Sequence, residues 1–222
     1  MKLVSTFFLG SVLLVTGARL ARSQGFVNLD FEDTTITPAY PPGTVNFYAT
    51  SVAIPGWAAY LGGSVASIIP NDGVSTGGDM VSLQDANALN YGAIQGNFSV
   101  LLQGSSLAAA TTASVGQTGT IPNTAQSLTF FASLGGTVLV SFNGQNLPFS
   151  VIGSGANYTI YGANISNYAG QTGQLLFTAP VQNAALLDNI QFSSSSVPEP
   201  SEFALTALGA LLLGFRRRLR HR

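Results

Sequence analysis

All eight basic residues of this 222-residue chain lie at its ends: Lys2, Arg19 and Arg22 at the front, and Arg216, Arg217, Arg218, Arg220 and Arg222 at the back. Between residues 24 and 196 no side chain is a lysine or arginine, the chain has no Cys at all, and its one His is His221. The charged residues of that stretch are Asp30, Glu32, Asp33, Asp72, Asp79, Asp85 and Asp188, so it carries a formal −7 while the whole chain carries −1. A fold built from it has no salt bridges, disulfides, thiolate ligands or imidazole ligands, and must rest on apolar burial and backbone hydrogen bonds. Nucleic-acid binding, which needs a basic face to neutralise phosphates, is excluded. Disorder is excluded too, because 14 Phe, 7 Tyr and 1 Trp in a chain that is 46% hydrophobic and 8% charged are core-forming material.

The two basic ends read as processing signals and are set aside before any fold reasoning. Residues 1–23 combine Lys2, an apolar run from Leu3 to Val15, and small residues at Ala21 and Ser23. This is the pattern of a secretory signal peptide, with cleavage expected after Ser23 and Ala18 as the alternative. The far end reads Val197-Pro198-Glu199-Pro200-Ser201, then an apolar stretch from Phe203 to Phe215, then five Arg among the last seven residues. A stretch of 13 residues rises only about 20 Å as a helix, against a hydrocarbon core of about 30 Å. Spanning therefore needs Thr206, Leu219 and snorkelling Arg side chains to extend the stretch. The Arg cluster sets the C-terminus on the cytoplasmic side. The expected division is a signal peptide over 1–23, one domain over 24–192, a linker with the Pro-Glu-Pro motif over 193–202, and a transmembrane helix with an Arg-rich tail over 203–222.

This order of Pro198-Glu199-Pro200, apolar helix and terminal Arg cluster closely resembles the PEP-CTERM sorting signal of Gram-negative bacteria. The resemblance implies transient anchoring in the inner membrane and cleavage at the motif by an exosortase-type membrane protease. It further implies release to the cell surface or extracellular matrix, in company with exopolysaccharide and biofilm.

Within the domain, Gly and Pro recur and apolar residues alternate with polar ones at period 2, which argues for an all-β chain. In GTVLVSFNGQNLPFSV an Asn143-Gly144 type I′ turn pairs Phe142 with Gln145, Val140 with Leu147 and Val138 with Phe149, and puts the apolar residues of both arms on one face. Pro148 makes that arm an edge strand or a bulged one. Other expected strands are Phe26 to Phe31, Val45 to Ala53, Trp57 to Leu61, Val65 to Ile69, Met80 to Leu83, Ser99 to Gln103, Ser127 to Ala132, Tyr158 to Tyr161, Leu175 to Thr178 and Leu186 to Phe192. Their spacing predicts a single antiparallel β-sandwich or jelly roll of about eight to ten strands, flanked by the signal helix and the transmembrane sorting helix.

The segments N28-L-D-F-E32, I54-P-G-W57 and L186-L-D-N-I-Q-F192 resemble the opening and closing strands of galactose-binding-like jelly rolls, the fold of many carbohydrate-binding modules. That resemblance implies that Glu32 and Asp188 help to hold a structural calcium ion. Trp57, in its Pro-Gly-Trp turn, is either a ring for sugar stacking or core packing, with packing the commoner use of a lone Trp entering a sandwich. Catalytic pairs are few: Asp79 with Asp85, or Glu32 with Asp33, the latter failing if the two neighbours lie on a strand. With no base for a Ser nucleophile, a non-enzymatic surface or matrix protein associated with exopolysaccharide is expected. The alternative is a carbohydrate-binding module with a specific sugar site.

Overall fold

A computed structural model describes residues 25–38, 40–107 and 110–197. The signal peptide, the Pro198-Glu199-Pro200 motif, the apolar stretch and the cluster Arg216, Arg217, Arg218, Arg220 and Arg222 lie outside the described residues. Among the described residues no helix is long and apolar enough to cross a membrane.

The strands in chain order are β1 (Asn46–Ala49), β2 (Ala58–Leu61), β3 (Ser64–Ala66), β4 (Ile68–Asn71), β5 (Met80–Asp85), β6 (Phe98–Gln103) and β7 (Ala113–Thr120). They continue with β8 (Ser127–Ser133), β9 (Leu139–Phe142), β10 (Gln145–Asn146), β11 (Ser150–Ser154), β12 (Thr159–Asn164), β13 (Thr172–Ala179) and β14 (Ala184–Ser193). A single helical turn, α1 (Thr50–Ala53), follows β1. The chain is all-β and its strands form two sheets, in the orders β1-β4-β5-β6-β14-β8-β12-β11 and β10-β9-β13-β7-β2-β3. Pairing is antiparallel except between β4 and β5, where Asn71 lies beside Leu83.

The two inner faces enclose one core that includes Phe31, Trp57, Leu83, Val100, Leu128, Phe130, Phe142, Phe177 and Leu187. Alternation places it: in β13 (TGQLLFTA) Gly173, Leu175, Phe177 and Ala179 are buried and the residues between them are not. A smaller cluster of Ile94, Leu101 and Leu186, with Val74, Tyr91, Phe131 and Tyr158 around it, covers part of the outer face of the larger sheet.

The hairpin forms in the expected register, Gln145 opposite Phe142, and Leu147 N–H donates to Val140 C=O at 2.8 Å. Asn143 and Gly144 take φ of 49° and 75°, the two positive values a type I′ turn requires. The second arm is shorter than expected. Its pairing ends with the Leu147–Val140 bond, and past Pro148, which has no donor, the chain crosses to the larger sheet as β11.

Four points differ from the sequence-based expectation. Phe26 to Phe31 is not a strand: Asn28 and Phe31 have positive φ, and the segment is held by the isolated Gly25–Thr120 bridge and by Ile190 N–H donating to Leu29 C=O. Val45 to Ala53 divides into β1 and α1, and Val65 to Ile69 divides between the two sheets at Ser67. Finally, β7 has no counterpart among the expected strands. Its sequence ASVGQTGT is poor in large apolar residues, yet the strand lies inside the smaller sheet with six of its eight residues buried.

Candidate functional site

The resemblance singled out Trp57, Glu32 and Asp188. Ile54-Pro55-Gly56-Trp57 is a tight turn, with Trp57 N–H donating to Ile54 C=O at 3.0 Å and Gly56 at φ +85°. The turn drives the indole inward. Trp57 is 4% exposed, its Nε1–H donates to Asn28 C=O at 2.8 Å, and its ring packs against Phe31 and Phe177. As a sugar contact Trp57 is therefore corrected: a ring enclosed by core aromatics has no face left for a ligand.

Glu32 and Asp188 converge on the segment that leads into β6. Glu32 Oε1 accepts the N–H groups of Asn97 (2.7 Å) and Phe98 (2.9 Å), and its Oε2 accepts Asn97 Nδ2 (3.1 Å). Gly96, just before Asn97, sits at φ +60°, and a Cβ there would run into Glu32 Oε1. Asp188 is 1% exposed; its Oδ2 accepts Gln95 N–H (3.0 Å) and Ser99 Oγ–H (2.8 Å), and its Oδ1 accepts Asn189 N–H (2.6 Å). Burial pushes the Asp188 carboxyl up to about 6; the bonds from Ser99, Gln95 and Asn189 pull it back, and the charge of Glu32 adds to the rise. The two carboxylates thus clamp one loop between the first described segment and the last strand. Their hard oxygens suit calcium, and an ion there would share or displace donors that already satisfy them.

The conceivable catalytic pair Asp79 and Asp85 brackets β5 at opposite ends, some six residues or about 20 Å apart, well beyond the 5–9.5 Å of a glycosidase pair. Asp85 instead faces Asp72, whose partnership no single strand pattern could have indicated. Among the described residues no three His, Cys, Asp or Glu side chains form a metal-holding group.

The other half of the larger sheet carries an open cleft of about 270 Å³, lined by Gly135, Gly136, Thr137, Val138, Phe149 and Tyr161. Tyr161 on β12 stacks on Phe130 (centroids 5.3 Å apart, 21° between planes), and Phe149, just before β11, meets both rings edge-on. Phe130 in turn contacts Phe177 of the opposite sheet at 5.3 Å. The cleft therefore opens between the two sheets at the end of the aromatic core. Both Phe149 and Tyr161 are half-buried, and no residue of the lining is charged. An aromatic wall with backbone amides and a Thr hydroxyl beside it can stack on an apolar ring face and hydrogen-bond hydroxyls at its edge. In the sequence, Val138 and Phe149 stand out only as apolar residues of the hairpin face, and Tyr161 is one of seven tyrosines that local pattern does not separate.

No protein-family profile matches the chain, and no curated protein matches it. Solved structures do resemble it. The Stig cyclase Fisc from Fischerella sp. TAU, in complex with (3Z)-3-(1-methyl-2-pyrrolidinylidene)-3H-indole, superposes with a TM-score of 0.50 at 17% identity, over 77% of this chain and 96% of that one. A cyclase from the same source in complex with 4-(1H-indol-3-yl)butan-2-one gives 0.48 at 17% identity, over 78% and 97%. A family 11 carbohydrate-binding module from Clostridium thermocellum, in complex with a beta-1,3-1,4-mixed-linked tetrasaccharide, gives 0.32 at 8% identity, over 69% and 98%. The first of these supports the two-sheet fold and nothing finer.

Proposed function

We propose that this chain is an exported, non-enzymatic β-sandwich that binds a neutral glycan at the cell surface or in the extracellular matrix, through the cleft edged by Phe149 and Tyr161. The observation that carries the reading is the uncharged aromatic lining of that cleft in a domain whose acids lie elsewhere. A neutral sugar presents an apolar ring face and a rim of hydroxyls, and it places no demand for a cation on a domain that has none. The sorting reading rests on Pro198-Glu199-Pro200 and the Arg cluster. It makes the exosortase-type protease a transient partner and exopolysaccharide the natural ligand pool. Glu32 and Asp188 belong to the proposal as the residues that tie the first segment to the last strand, through the donors they already accept.

Affinity electrophoresis of the purified protein through gels containing neutral polysaccharides tests the cleft. Saturable retardation by at least one neutral glycan is expected, with Thr137→Trp, which fills the mouth from an exposed position, abolishing it at unchanged melting temperature. Retardation that survives Thr137→Trp moves the site elsewhere. A wild type that no glycan retards leaves a matrix protein without a sugar site.

A further inference from the structure

The ends of β4 and β5 bring together a second pair of carboxyls that neither the cleft nor the Glu32–Asp188 clamp uses. The two strands run parallel, so both chains leave the sheet in the same direction. Asp72 N–H donates to Leu83 C=O at 2.8 Å, and Asp85 N–H donates to Asp72 Oδ1 at 2.9 Å. Asn71 Nδ2 donates to the same Asp72 Oδ1 at 3.0 Å and to Leu83 C=O at 3.1 Å. All three side chains are buried, Asn71 and Asp85 at 0% exposed and Asp72 at 4%.

Asn87 N–H donates to Asp85 Oδ1 at 2.7 Å, and both donors that reach the Asp72 carboxylate fall on its one oxygen, Oδ1. Its other oxygen, Oδ2, and the amide oxygen of Asn71 are shut off from solvent and accept no hydrogen bond. A buried acceptor without a donor is costly, and native proteins rarely leave one so. Two of them on adjoining residues, beside a second buried carboxyl, mark a missing positive charge. No Lys or Arg exists between residues 24 and 196 to supply it. Gln84 Oε1 also lacks a donor, but Gln84 precedes Asp85 on the strand and faces the other way, its amide nitrogen bonded to Gly73 C=O and Ser82 Oγ.

We infer that Asn71, Asp72 and Asp85 form a calcium site at the end of the parallel strand pair. The oxygens on offer are carboxylate and amide, all hard, with no nitrogen or sulfur ligand near, which selects calcium over the transition metals. Geometry decides its use. The β4–β5 pairing is made at the single Asn71–Leu83 position, and an ion bridging Asp72 and Asp85 cross-links the strands where the ladder is shortest. Burial first, then the charge and side-chain hydrogen bond of Asp85, push Asp72 up to about 6, against the backbone N–H of Asp85 that holds it down.

Purified protein stripped with chelator and titrated with Ca²⁺ alone tests this, by thermal melts and isothermal titration calorimetry. Calcium is expected to raise the melting temperature by at least about 5 °C, with Asp72→Asn losing the rise and Asp188→Asn keeping it. Should Asp72→Asn fail to fold, Asn71→Ser, which keeps both carboxylates, should weaken calcium binding at least tenfold. A wild type indifferent to calcium overturns the inference, and stabilisation of the calcium-free protein by Asp72→Asn would then assign the missing charge to a shared proton. A rise lost in Asp188→Asn and kept in Asp72→Asn also overturns it, giving the ion to the Glu32–Asp188 clamp. Neither result touches the glycan reading, whose test uses the cleft.

Discussion

Two carboxylate pairs sit at the same end of the larger sheet and meet the lack of cations in different ways. One row, Asn71–Leu83–Val100–Leu187, crosses four strands, and Asp72, Asp85 and Asp188 lie just beyond it. Around Glu32 and Asp188 a loop folds back so that four backbone N–H groups, a hydroxyl and an amide point at the carboxylate oxygens. Around Asp72 and Asp85, Asn87 N–H serves Asp85 Oδ1 while the donors to Asp72 fall on its Oδ1 alone, and Asp72 Oδ2 and the Asn71 amide oxygen are left with none. Without Lys or Arg, a buried acid is satisfied only where the backbone is bent to face it. The first pair has such a loop, and at the second it is Asp85 N–H and Asn87 N–H that turn toward the carboxylates, while Asp72 N–H serves Leu83 C=O.

The largest test of this contrast is Asp188→Ala. It strands Gln95 N–H, Ser99 Oγ–H and Asn189 N–H in a buried place, and should cost about 3 kcal/mol in urea unfolding. Asp72→Ala, measured in chelator, should cost clearly less, because it also removes a like charge from beside Asp85. Equal losses would mean that the two pairs are held in the same way.

The pH response ranks next. Asp72 and Asp188 both rise from 3.8 to about 6 on folding, chiefly through burial. Between those values the folded state binds more protons than the unfolded one. The stability these groups contribute is therefore full below about pH 3.8 and lost as pH rises through about 6. In chelator, wild type should lose about 2 kcal/mol relative to Asp72→Asn between pH 4 and pH 7. With calcium present the loss should shrink, since the ion favours the ionised pair. A constant difference between the two proteins across that range contradicts the raised value.

A region outside both pairs sets the scale. Gly144→Val asks a β-branched residue to adopt φ near +75° in a turn where a Cβ would meet nothing within 4 Å, so the cost is conformational alone, roughly 1–2 kcal/mol. The pH response should be unchanged from wild type. A melting temperature equal to wild type would show that the turn tolerates another conformation.

The turn was legible because its information is local: two residues of suitable type between arms that alternate in phase. Most central strands were legible for the same reason, and the resemblance at both ends of the domain brought Glu32 and Asp188 to one loop although 156 positions separate them. What escaped depends on distant partners. β7 is buried through Ala, Ser, Val and Gly under neighbours on both sides, a setting its own side chains do not announce. Asp72 meets Asp85 through a parallel pairing across a loop, whereas a reading along the chain offers Asp79 as the partner of Asp85. The cleft needs Phe149 after a sheet crossing and Tyr161 on another strand, and period-2 alternation carries no trace of that crossing.

The smallest expected effect is the most diagnostic of the clamp. In Glu32→Gln the side-chain oxygen can still accept Asn97 N–H and Phe98 N–H, while the new amide nitrogen meets the donor Asn97 Nδ2 at a half-exposed position where Asn97 can turn away. The stability cost should stay below about 1 kcal/mol. The variant removes the Glu32 charge, the last contributor to the upward shift of Asp188, and leaves burial, the first, in place. The Asp188 titration, followed by carboxyl-carbon NMR, should therefore move slightly toward acid yet stay above 3.8, and the window of pH-dependent stability should narrow from its upper edge. A return of Asp188 to the ordinary carboxylate range would make Glu32 the dominant cause in place of burial. A loss of stability matching that of Asp188→Ala would show that the charge of Glu32, rather than its acceptor geometry, holds the loop.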